Sequence, residues 1–191
     1  HGMRSDNGTP FAGQNITGLS RLSVWWIKLG IRPERIEKGK PQQNGRHERM
    51  HRTLKEDTVY PQAKNLEEQQ ERFDRFKIEY NEERPHEAIG QQTPASLYVR
   101  SRREYRKEPF LPEYDLGLSV RKVLWGGDFK FKGARYFLTK TLKDEYIALK
   151  EIAEDKWLMQ FSFYPIGVLD SRKKRIEPIR QEQNLLPMSP V

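Results

Sequence analysis

PQQNGRHERMHRTLKED, residues 41–57, is the stretch on which a reading of the whole chain turns. Pro41, Asn44 and Gly45 are turn formers, and Asn44 stands where its side chain can cap a helix running from about Arg46 to Glu56. On such a helix Glu48, His51 and Lys55 fall at i, i+3 and i+7, a single face, while Met50 and Leu54 mark another face for packing. Glu48 sits one turn in, where the helix dipole favours a carboxylate. Read alone, it is a solvated helix charge. His47 and His51, four residues apart, admit a zinc-ligand reading that ranks below the carboxylate reading.

Outward from this stretch, the first hundred residues read as mixed helix and strand. Residues 17–29 (TGLSRLSVWWIKL) place Leu19, Leu22, Trp26 and Leu29 on one face of an amphipathic helix that Gly30 stops. Ile31 to Ile36 can form a short strand. The spacing predicts a longer helix over roughly 65–81, with Leu66, Phe73, Phe76 and Tyr80 on one buried stripe and Pro85 ending it. In TPASLYV, residues 93–99, Thr93 is a cap and Pro94 occupies the first helical position. Residues 100–116 lose all periodicity and gather charge; they read as a linker draped over a neighbour, since Tyr105, Phe110 and Tyr114 are poor residues to leave in water.

From Leu118 to Asp170 the period becomes two. VRKVL, FKFKG, ARYFL, YIALKEI, KWLMQF and IGVLD are short strand-like runs, broken at Gly126-Gly127, Lys132-Gly133, Lys143-Asp144 and Glu154-Asp155. Runs at this spacing predict a small closed barrel, with Trp125, Phe129 and Trp157 in its core. The tail after Arg175 is expected to be irregular.

The totals narrow the partner. The 191 residues carry a formal charge of +8 although 27 are acidic, and charged residues (32%) nearly equal hydrophobic ones (35%). That balance suits a folded protein facing a polyanion, with nucleic acid ahead of an anionic membrane surface. The apolar run Val24–Ile27 is far too short to span a bilayer, and the expectation is a chain without a signal peptide. Cysteine is absent, which excludes disulfides and thiolate metal sites and fits a reducing cytoplasm.

Asp6 introduces the remaining motif. By itself Asp6-Asn7-Gly8 is a turn sequence. In order, however, SDNGTPF (residues 5–11), the amphipathic helix, LGI (29–31), QQNGRHERMHRTLKED (42–57) and YNEERPHEAIGQQTPASLY (80–98) resemble the catalytic core of the Asp-Asp-Glu transposases and retroviral-type integrases. The likeness runs from about Gly2 to Tyr98 and is nearest to bacterial insertion-sequence transposases; the following barrel looks like the DNA-binding barrel of many relatives. The resemblance implies an α/β fold: a partial ribonuclease H-like integrase core (residues 1–99), a basic linker (100–116), a small all-β, SH3-like barrel (117–175) and an irregular tail (176–191). It implies Asp6 as the second metal-binding aspartate, at a strand end, and Glu48 as the helix glutamate, together holding Mg²⁺ or Mn²⁺. The stretch between them is somewhat longer than usual, with the extra length expected in Gln14–Leu22.

The chemistry explains those residue types. Phosphoryl transfer asks for charge neutralisation and in-line positioning, and hard cations bound by carboxylates supply both. The resemblance also implies a first aspartate on an upstream strand, and only five residues precede Asp6. The expectation is therefore the C-terminal part of a transposase, lacking that aspartate and three strands, binding metal weakly and inactive alone. DNA-phosphate contacts are expected from His51, Arg52 and Lys55, from Arg100, Arg102, Arg103 and Arg106, from Lys130 and Lys132 with Arg121, Lys122 and Arg135, and from Arg172–Arg180. Element ends and target duplex would be the partners, self-association is implied, and the setting would be a bacterial cytoplasm at the nucleoid. Two competitors stand beside transposition: a non-catalytic DNA-binding or regulatory fragment, and a scaffold with an incidental basic surface.

Overall fold

A computed structural model describes residues 2–37, 39–105 and 111–179. Arg106, Phe110 and the tail from Arg180 lie outside the described residues. The chain is mixed α/β and divides into two compact units, one built from residues 1–39 and 106–191, the other from 40–105.

The first unit opens with strand β1 (Gly2–Ser5), which pairs in parallel with β2 (Arg32–Arg35), Gly2 opposite Arg32 and Ser5 opposite Arg35. Helix α1 (Arg21–Lys28) joins them. It begins later than residue 17 because Ser20 and Ser23 form a capping box: Ser20 Oγ accepts the Ser23 N–H at 3.1 Å, and Ser23 Oγ accepts the Ser20 N–H at 2.8 Å. Val24 and Ile27 on α1, with Leu19 before it, are buried in one cluster with the strands of the chain's second half. Trp26 stacks on Phe11 at 5.9 Å between ring centroids.

Those later strands are β3 (Ser119–Lys122), β4 (Asp128–Phe131), β5 (Ala134–Phe137), β6 (Tyr146–Ala153), β7 (Lys156–Phe161), β8 (Tyr164–Asp170) and β9 (Arg175–Glu177). Each run of period two became a strand. Five form one antiparallel sheet in the order β3-β6-β7-β8-β9, while β4 and β5 form a separate hairpin. The expected closed barrel is not formed among the described residues. The physical cause is local: the turn through Gly127 and a 3₁₀ turn at Lys140–Leu142 take the hairpin's two ends out of the ladder. Closure is by side chains instead, with Phe129, Phe131, Tyr136, Leu138 and Leu142 sharing the cluster of Ile147, Leu149, Trp157, Met159, Phe161, Ile166 and Leu169. Fully burying side chains of this size contributes roughly 1.5–3 kcal/mol each.

Two glycines make the hairpin possible. Lys132 (φ 44°) and Gly133 (φ 74°) supply the paired positive φ values of a tight two-residue turn. Gly127 (φ 85°) has no room for a side chain, since an added Cβ would stand 2.6 Å from Lys140 N. The linker is pinned where expected. Tyr114 Oη donates to the Tyr146 carbonyl at 2.6 Å and accepts the Ser162 N–H at 3.0 Å, and burial pushes its hydroxyl up to about 12. Tyr105, by contrast, is exposed.

The second unit is helical. A 3₁₀ turn at Pro41–Asn44 runs straight into α2 (Gly45–Thr58), followed by α3 (Leu66–Ile78), a π turn at Glu79–Glu83 and the short α4 (Pro94–Leu97). Asn44 precedes α2 but its side chain makes no capping bond, because it is already part of that 3₁₀ turn. Thr93 makes none either. Asn65 does cap α3, accepting the Glu68 N–H at 2.8 Å, while Glu68 accepts the Lys64 N–H at 2.7 Å and pairs with Arg72. These contacts hold the Glu68 carboxyl below its ordinary range. The predicted buried stripe on α3 is corrected: only Phe76 is buried, Tyr80 is half-buried, and Leu66 and Phe73 are exposed. Met50 and Leu54 of α2 with Phe73, Phe76 and Tyr80 line an open apolar cleft of about 370 Å³.

Candidate functional site

Asp6 follows β1 directly and is exposed. Its Oδ1 accepts the Gly8 N–H at 2.8 Å, and Asn7 Nδ2 donates to the Ile36 carbonyl at 2.8 Å, tying the turn to the end of β2. The Asp-Asn-Gly turn chemistry and the strand-end position thus hold together: the carboxylate is fixed through one oxygen. Glu48 lies in the first turn of α2, exposed, where the helix dipole favours its negative charge. Asp6 belongs to the first unit and Glu48 to the second.

On α2, Arg46, Arg49, Arg52 and Lys55 are all exposed, as are His47 and His51. His51 Nε2 stands 2.9 Å from His47 Nε2, with the two rings edge to face. Arg100, Arg102 and Arg103 follow α4 and are exposed in the same unit. In the first unit, Lys130 and Arg135 are register partners on the outer face of the β4–β5 hairpin, and the alternation with buried Phe129, Phe131 and Tyr136 puts their charge outward. Arg135 is held by Asp128. Lys132 at the turn lies 4.7 Å over the Trp157 ring and 4.0 Å from Asp155. Lys122 pairs with Asp144 at 3.4 Å. The basic residues are therefore on the surface, several with a carboxylate beside them.

Trp125 departs from expectation. Phe129 and Trp157 are core, but Trp125 is 72% exposed and carries Lys143 Nζ 3.7 Å from its ring centroid. The signal was present in the chain: a tryptophan directly before Gly-Gly stands at a turn tip, outside the alternation that buries its neighbours.

Residues 29–94 match the integrase core domain family. The match supports an integrase- or transposase-type catalytic core and, with it, a role in DNA transposition or integration, with DNA as the partner such a core implies and divalent metal as its usual helper. It takes in β2, α2 and α3, hence Glu48, His51, Arg52 and Lys55, and stops short of Asp6. Among the described residues no helix is long and apolar enough to cross a membrane. No group of three or more His, Asp or Glu side chains is gathered as a metal site among the described residues. The donor chemistry of Asp6 and Glu48, exposed carboxylate oxygens, nevertheless suits a hard cation such as Mg²⁺.

Proposed function

We propose that the protein is a transposase of the Asp-Asp-Glu, insertion-sequence kind, that Asp6 and Glu48 are its metal-binding carboxylates, and that it works on DNA ends as a homo-oligomer in a bacterial cytoplasm. The observation that carries the reading is the placement of Glu48 within the matched integrase segment, on an exposed helix flanked by cations. When bound, Mg²⁺ or Mn²⁺ supplies neutralisation of phosphate charge and in-line alignment of attacking and leaving oxygens. The chain's own residues do the rest. Glu48 and Asp6 offer hard oxygen donors, and the Gly8 N–H restrains one Asp6 oxygen so that the other is free to bind. His51, Arg52 and Lys55 position the phosphate. Arg100, Arg102, Arg103, Lys130 and Lys132 track the duplex backbone, the last two from a sheet-and-hairpin module that we read as an SH3-like DNA-binding fold. The domain scheme is then catalytic residues up to 99, a basic linker, and a DNA-binding module over 117–175.

A second reading, a non-catalytic DNA-binding or regulatory protein, is favoured by the exposed basic residues of α2 and of the β4–β5 hairpin, whose contacts with phosphate need no metal. Labelled duplex carrying element ends separates the two. Mg²⁺-dependent nicking or strand transfer that falls at least about a hundredfold in Glu48→Gln and Asp6→Asn supports the enzyme. Binding that weakens steeply with salt, without cleavage in any divalent metal, supports the second reading and removes the first.

A further inference from the structure

We propose that His47 and His51 form a binding site for a borderline transition-metal ion, of the Zn²⁺, Ni²⁺ or Cu²⁺ class, separate from the carboxylate chemistry of Glu48. Both imidazoles are exposed on α2, one turn apart, and an ion reaches their Nε2 atoms by taking the place of the proton that one now shares with the other. Their Nε2 atoms stand 2.9 Å apart. Two nitrogen ligands at about 2.1 Å from one ion, meeting at a right angle, stand about 3.0 Å apart, whereas a tetrahedral pair stands about 3.4 Å apart. The spacing thus fits a cis pair on a square or octahedral ion and needs only a small opening for a tetrahedral one.

In sequence the two histidines bracket Glu48 with the His-Glu-x-x-His spacing seen on zinc-binding helices, where the glutamate is not itself a ligand. Imidazole selects such metals over Mg²⁺, which prefers oxygen. No third His, Asp or Glu joins the pair among the described residues, so water or a group supplied by a bound molecule completes the shell. With its Nε2 lone pair engaged, His51 keeps Nδ1–H as its donor, so such a metal changes the atom through which that residue meets a phosphate.

The test uses the full chain with Ni²⁺ and Zn²⁺ as probes, read by calorimetric titration and by amide exchange across residues 45–58. The expected result is an ion bound with a gain of protection confined to α2, weakened at least about tenfold in His47→Ala and in His51→Ala alike, because either change leaves a single ligand and no chelate. His86→Ala and Glu48→Gln leave the affinity within about twofold, and a large excess of Mg²⁺ does not displace the ion. Unchanged affinity in either histidine variant, protection arising outside α2, or loss of binding in Glu48→Gln each overturns the proposal. Loss of strand transfer in Glu48→Gln with Ni²⁺ binding intact keeps it, so the two sites fail separately.

Discussion

Replacing Tyr114 by phenylalanine removes one oxygen and leaves two backbone groups, the Tyr146 carbonyl and the Ser162 N–H, without the partner they share. Each such bond contributes about 1 kcal/mol net, so Tyr114→Phe is expected to cost about 1–2 kcal/mol, the lower figure applying where water re-pairs the half-buried site. For a chain of this size that is roughly 2–8 °C in Tm. The pH dependence gives the sharper check. The folded hydroxyl titrates at about 12, above the ordinary tyrosine value of 10, because burial disfavours the phenolate. A raised folded pKa means that the stabilisation is complete below pH 10, where the unfolded chain is also protonated, and drains away as pH climbs from 10 towards 12. The phenylalanine variant has nothing to ionise there. Urea unfolding of both proteins at pH 8 and pH 11.5 should therefore show the gap narrowing, with every other titrating group common to the two. A gap that stays constant between those pH values, or one already below about 0.5 kcal/mol at pH 8, would refute the pinned-linker argument.

Three further outcomes follow from the packing. Gly133→Ala meets only the strain of its positive φ, about 1–2 kcal/mol, whereas Gly127→Ala also collides with the backbone at Thr139 and Lys140 and should cost clearly more; equal costs in chemical denaturation would contradict the close approach. Phe129→Ala empties a fully buried site beside Tyr136 and should lose about 3–5 kcal/mol, while Trp125→Ala, at an exposed turn, should stay within about 0.5 kcal/mol apart from its contact with Lys143. A double-mutant cycle on Lys28→Met and Glu145→Gln should give a coupling of about 1 kcal/mol, since the 2.7 Å pair is largely buried; coupling below about 0.3 kcal/mol would mark it as an ordinary surface pair.

The strands after Leu118 were readable because alternation is a local property: Phe129, Phe131 and Tyr136 point inward, and Lys130 and Arg135 outward, wherever the sheet edge lies. Helices α2 and α3 could also be located to within a few residues. Depth could not. Leu66 and Phe73 follow the period of a buried stripe, yet a small helical unit has too little facing surface to cover them. Nor does the pattern of residues 17–29 say that Val24 and Ile27 will meet side chains more than a hundred positions away; that is a property of the whole assembly. For the site, the helix of Glu48 and its exposed cations were legible as an amphipathic pattern, while the turn bond from Gly8 to Asp6 and the close approach of the two histidine nitrogens depend on atomic placement.

The core joining Leu19, Val24 and Ile27 to strands from the far half of the chain imposes an order on synthesis. As the ribosome extrudes the chain, α1 emerges with its greasy side bare and finds its mates only after strands beyond Val123 have left the tunnel; the segment 40–105 can settle in the meantime. A single protease nick inside that intervening segment should accordingly yield two pieces that still co-migrate, held by apolar contact rather than by covalent continuity.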